Sequence, residues 1–189
     1  MSRFGAIPIV LKVAGINYVV SSANKCLEGV CGLSFIIARW TTLQATIGYA
    51  RSLCLHLLGP LQRFEANSQF RFTPPTHAIL TFDRALRELD REGGVAARGH
   101  CYATNHRGLL AGMQRLEFVP ILDPAIQSFM IRAFHSPTDP AFRFSVVYHR
   151  LSDHGMIIYP GELPRVDPFR IGTIGRLFEP YIARLLHAI

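Results

Sequence analysis

Val19-Val20-Ser21-Ser22-Ala23-Asn24-Lys25-Cys26 decides how this chain is read. A short apolar run with β-branched residues predicts a buried strand over 18–22. Small polar residues follow it and lead to a lysine. Of the twenty basic residues, only Lys12 and Lys25 are lysines and eighteen are arginines. A lysine can lose its proton in a suitable setting and then attack an aldehyde; a guanidinium cannot. Lys25 at the end of a strand is therefore a candidate for covalent cofactor chemistry. From composition alone, a solvated surface lysine is the competing reading.

Working outward, residues 6–10 and 33–38 predict two further short strands, with Gly29 and Gly32 in the turn before the second. A short helix is expected over 41–50, capped by Thr41, and an extended loop over 51–72. Thr73-Pro74-Pro75-Thr76 opens a long helix with its apolar stripe at Ala78, Ile79, Phe82, Ala85, Leu86 and Leu89. Gly93-Gly94 ends it. A second long helix runs from about Val95 to Leu116, with Cys101, Leu109, Met113 and Leu116 on one side. Beyond residue 118, strands at 129–134, 156–159 and 169–171 alternate with helices at 141–153 and 178–188. That alternation indicates an α/β or α+β unit. The domain boundary is placed near residue 96.

The 189 residues, 49% of them hydrophobic, suffice for a packed core. The net charge of +7 comes from scattered arginines rather than a dense basic run, which argues against nucleic acid as partner. Cys26, Cys31, Cys54 and Cys101 form neither a CxxC pair nor a zinc-like spacing, so they read as reduced thiols and no metal is expected. No run is long enough to span a membrane and no leader peptide is evident, so a soluble cytoplasmic protein is expected. His77, His100, His106 and His149 receive no catalytic role.

Four stretches together carry a family resemblance: Ser2-Arg3-Phe4-Gly5-Ala6-Ile7-Pro8, Ser21-Ser22-Ala23-Asn24-Lys25-Cys26, Arg71-Phe72-Thr73-Pro74-Pro75-Thr76-His77, and Tyr159-Pro160-Gly161 followed by Phe169-Arg170-Ile171-Gly172-Thr173-Ile174-Gly175. In order and spacing the chain resembles the 2-aminoethylphosphonate–pyruvate transaminases, class V aminotransferases dependent on pyridoxal 5′-phosphate. The resemblance implies an α/β architecture: the C-terminal half of a fold-type I aminotransferase, with residues 1–95 the remnant of the large cofactor domain and 96–189 the small α+β domain. It implies that Lys25 holds the cofactor and moves a proton. It implies that Thr73 reaches the cofactor phosphate of the neighbouring subunit in a homodimer, and that Arg170 contacts the acidic end of a small-molecule substrate. Each role suits the residue type: hydroxyls and helix starts suit phosphate, and a fixed guanidinium suits carboxylate or phosphonate. Without the resemblance, Thr73 reads equally as a helix cap and Arg170 as an ion-pair partner.

The departures from the family pattern are specific. The aspartate that meets the pyridine nitrogen would precede Met1, as would the phosphate-binding turn and the residue stacked on the ring. Cys31 and Ser34 stand where proline and glycine are usual, and His56-Leu57 replaces an Asp-Leu pair. Two alternatives stay open: a catalytically silent fragment of this enzyme, and a sibling class V aminotransferase of the alanine–glyoxylate type.

Overall fold

The computed structural model describes residues 2–161 and 168–189. The chain forms two compact units, Met1–Arg91 and Glu92–Ile189. Contacts therefore divide ahead of the glycine pair, whereas the sequence reading put the division near residue 96. In the described residues no helix is long and apolar enough to cross a membrane.

In the first unit, β1 (Tyr18–Ser22) and β2 (Ser34–Ala38) form a two-stranded antiparallel sheet with Val20 opposite Ile36. The strands lie where expected, but they are buried only in part. Tyr18, Val20, Ile36 and Ile37 are exposed. The third strand expected over 6–10 does not form. Gly5 adopts a φ of +98°, and the amides of Ala6 and Ile7 both turn back to the Arg3 carbonyl. Pro8 then removes a ladder donor.

Helix α1 (Trp40–Gln44) is half the expected length and is not capped by Thr41. Thr46 ends it: both its amide and its hydroxyl go to the Leu43 carbonyl, at 3.1 and 2.7 Å, in place of a continuing helical turn. The loop expected over 51–72 contains a helix, α2 (Leu58–Asn67). Gly59-Pro60 reads as a breaker, yet Pro60 lies in the first turn, where a proline sacrifices no helical hydrogen bond. Ser68, left-handed at φ 56°, closes α2 through its amide to Phe64. Helix α3 (Thr76–Arg91) starts three residues after Thr73, so Thr73 is not its cap. A residue preceding proline is pushed out of the helical region, and Thr73-Pro74-Pro75 contains two such positions in succession.

In the second unit, α4 (Gly94–Arg115) follows Gly93, which is left-handed at φ 98°. Its buried face runs through Arg98, Tyr102, Asn105, Leu109, Gly112 and Met113. The expected stripe was half right: Leu109 and Met113 are buried, but Leu116 is exposed and polar residues complete the face. Those polar residues have partners. Arg98 meets Glu92 at 2.7 Å, and the Asn105 amide donates to the Leu177 carbonyl at 2.7 Å.

The sheet of this unit is antiparallel, in the order β3 (Ile131–His135), β5 (Pro168–Gly172), β4 (Tyr159–Pro160). Helices α5 (Phe144–Asp153) and α6 (Glu179–Ala188) complete the core with Leu151, Ile182 and Leu185. Phe169 lies at the centre, stacked on Phe134 at 5.7 Å and edge-on to Phe118 at 5.4 Å. Gly112 lets α4 and α6 approach closely, since a Cβ there would collide with Leu186.

Candidate functional site

Lys25 stands in the turn after β1, three residues beyond Ser22. The turn is tightly held. The Ala23 amide donates to Leu33, Gly29 donates to the Ala23 carbonyl at 2.8 Å, and Glu28 donates to the Lys25 carbonyl at 2.9 Å. Its base is buried at Ser21, Ala23, Cys26 and Leu27, and the Cys26 thiol reaches the Ser2 carbonyl at 2.9 Å. Asn24 contacts the Cys31 sulfur at 3.2 Å. Glu28 takes a left-handed φ of 59°, where a non-glycine residue needs such support. The fold thus spends several hydrogen bonds on holding the backbone of a half-buried lysine whose amine has no ion pair or hydrogen bond among the described residues.

The turn is also tied to α3. Phe82 stacks on Phe35 of β2 at 5.3 Å and lies against Gly29. Thr73 precedes α3 on its N-terminal side, exposed and outside any helix or strand. Lys25 and Thr73 therefore belong to one unit and share α3 as a common support.

Arg170 belongs to the second unit, on the central strand β5, between Ala133 and Tyr159. Strand alternation places it on the face opposite Phe169 and Ile171. It is half-buried and forms no ion pair among the described residues. The three candidate residues thus comprise an amine, a hydroxyl and a guanidinium. Neither cation is neutralised by a carboxylate among the described residues. Taken separately, an amine can condense with an aldehyde, and a hydroxyl or guanidinium can hold an anionic group.

Sequence reasoning missed Arg132. It lies on the core face of β3, opposite Ile171, and is 1% exposed. None of its three nitrogens has a hydrogen-bond partner among the described residues. Burial lowers its pKa, yet a guanidinium remains a cation at neutral pH. His106 on α4 has its pKa lowered by burial and then by the charges of Arg132 and Arg107, and its Nε2 has no partner among the described residues. The signal for Arg132 was present: period-2 alternation puts it on the Phe134 side. Among the cysteines, Cys31 and Cys54 are exposed and all four are unbridged. No cluster of metal-ligating side chains occurs among the described residues.

Hollows elsewhere involve other residues. One of about 370 Å³ is lined by Tyr18, Leu43, Tyr49 and Leu55 in the first unit. Another, of about 280 Å³, lies between His100 and Phe178 in the second.

No family model matches the chain. Among curated proteins it is 48% identical over 190 aligned residues to a 2-aminoethylphosphonate–pyruvate transaminase of Salmonella heidelberg (strain SL476), covering all of this chain and 52% of the relative. It is 47% identical to the protein of the same description from Klebsiella pneumoniae, with the same coverage. The chain thus spans about half the length of the relatives it matches. Among solved structures it resembles alanine–glyoxylate aminotransferase from Nostoc sp. (TM-score 0.85, 17% identity, 99% of this chain and 50% of that one). It also resembles pyridoxamine–pyruvate aminotransferase from Mesorhizobium loti (TM-score 0.83, 20% identity, 96% and 47%). At such identities the structures speak for the fold alone. The 47–48% identity over the whole of this chain and the aminotransferase fold together make this chain a counterpart of the C-terminal half of the 2-aminoethylphosphonate–pyruvate transaminases.

Proposed function

We propose that this chain supplies the lysine-bearing half of an aminotransferase that moves the amino group of 2-aminoethylphosphonate to pyruvate, giving phosphonoacetaldehyde and L-alanine. The observation that carries the reading is Lys25: a half-buried amine, unpaired among the described residues, on a turn braced by three backbone hydrogen bonds. That arrangement fits covalent attachment of pyridoxal phosphate, the group named for a relative of this fold, phosphoserine aminotransferase from Trichomonas vaginalis. When bound, pyridoxal phosphate supplies an electron sink. The chain's own residues supply the rest. Lys25 offers the amine and then holds and returns a proton at its Nζ. Thr73 offers its hydroxyl to the phosphate, from the neighbouring subunit of a homodimer. Arg170 receives the phosphonate or carboxylate of the substrate as a paired donor. The large-domain remnant then corresponds to residues 1–95 and the small domain to 96–189. The compartment consistent with this chemistry and with reduced thiols is the cytoplasm.

Reductive trapping tests the site. The full chain is incubated with pyridoxal phosphate, reduced with borohydride, digested and analysed by mass spectrometry. A pyridoxyl label on Lys25, absent in Lys25→Ala and absent from Lys12, is the expected result. A label divided evenly between Lys12 and Lys25, or no label, overturns the reading.

A further inference from the structure

Arg132 places a positive charge inside the second unit, on the opposite face of the sheet from Arg170. Alternation along β3 puts it with Phe134, which is 0% exposed, and the ladder sets it opposite Ile171, which is 3% exposed. Met130, just ahead of the strand, is 4% exposed. Nε, Nη1 and Nη2 of Arg132 have no hydrogen-bond partner among the described residues. Glu92, an acidic side chain of this unit that does pair with an arginine, is engaged by Arg98 at 2.7 Å. His106 on α4 is near enough to feel the Arg132 charge, which adds to burial in holding its imidazole uncharged at neutral pH. Its Nε2 is likewise buried with no partner among the described residues.

A guanidinium cannot escape burial by shedding its proton. Left unpaired in an apolar setting, it carries the full cost of its lost hydration. A water molecule would satisfy its donors and leave the charge standing. An anion satisfies the donors and cancels the charge. The size of that anion is limited by the enclosure. Met130, Phe134 and Ile171 seal the surroundings, so a phosphate ester or a substrate carboxylate has no opening by which to reach the guanidinium. We infer that Arg132 binds a small monovalent inorganic anion, chloride by preference, within the core layer of the second unit. This inference rests on the enclosed cation alone and is independent of the transamination reading.

Salt exchange tests it. The full chain is titrated with sodium chloride in place of sodium gluconate at constant ionic strength. A saturable rise in melting temperature is expected, about 4–8 °C once chloride stands about fourfold above its dissociation constant. Hydrogen exchange should slow at residues 131–135 and 168–172, and the chloride NMR line should broaden. Arg132→Met removes all three responses. Arg132→Lys, which keeps the charge and loses the planar fork, weakens chloride binding about ten-fold. Arg150→Met, at an exposed arginine on α5, leaves the responses unchanged. Equal stabilisation by chloride and gluconate overturns the proposal. So does a chloride response that survives in Arg132→Met, which marks an adventitious ion only. Arg132→Met destabilising the chain equally in both salts also overturns it, by showing that a carboxylate of the chain already pairs with the guanidinium. The lysine variant decides the matter where the methionine variant does not fold: an unchanged chloride affinity overturns the proposal.

Discussion

Phe169 and Val20 occupy similar sequence settings, a short apolar strand among turns, yet one is buried and the other is half in water. In the second unit β5 is flanked by β3 and β4, and α4, α5 and α6 contribute to the same core. In the first unit β1 has one neighbour and only one partly covered face. Apolar patterning states what a strand needs; the number of available layers decides whether the need is met. The second unit has the opposite flaw. Its core is closed, but it encloses the charge of Arg132, which has no hydrogen-bond partner among the described residues.

Substitutions can break this contrast. Phe169→Ala should cost about 3–5 kcal/mol by opening a cavity in the closed core, read by denaturant unfolding. Val20→Ala should move the same measurement by less than about 0.5 kcal/mol, as at an exposed site. Equal losses at the two positions would refute the distinction between a covered and a bare face. Arg132→Met should work in the other direction. Replacing a buried guanidinium that has no hydrogen-bond partner among the described residues by an apolar chain of similar reach should stabilise the second unit by about 1–4 kcal/mol. A loss of stability there would mean that the charge has a partner after all.

Gly112→Ala sharpens the account of the closed core. Its new methyl meets Leu186, so α4 and α6 must separate or Leu186 must change rotamer, at about 1–3 kcal/mol. A gain from the better helix propensity of alanine would show that the helices have room. The smallest effect is a pH dependence. His106 has its pKa lowered in the folded chain, so the unfolded chain takes up its proton first as pH falls. Stability present above the ordinary histidine value, about 6.5, should decline as pH falls from there through the folded pKa. Melting temperatures between pH 8 and pH 5 test this, with His106→Gln flattening the decline and Arg132→Met reducing it.

Much of the architecture was legible in local chemistry. The strands at 18–22 and 34–38 stood out by their β-branched and aromatic residues, and α3 by its stripe and its terminal glycines. The misses have physical causes. Pro60 reads as a breaker until its place in the first turn is known. The side chain of Thr46 competes for a helical carbonyl, which no apolar period reveals. Arg98 and Asn105 sit on a buried helix face because Glu92 and the Leu177 carbonyl receive them, and the carbonyl lies 72 residues away from Asn105. Lys25, Thr73 and Arg170 were named from motifs. That Lys25 and Arg170 have no neutralising carboxylate among the described residues could be seen only with side chains in place.

The sequence by itself determined which residues are candidates for the chemistry and where most strands and helices lie, because residue type, period and turn chemistry act over a few neighbours. Only the tertiary structure decided that the ribbon of β1 and β2 has a bare face, that Arg132 is enclosed without a partner among the described residues, and that the turn at Lys25 is braced on Phe82 through Phe35 and Gly29. Burial and pairing depend on what distant parts of the chain bring alongside, and no local pattern records that.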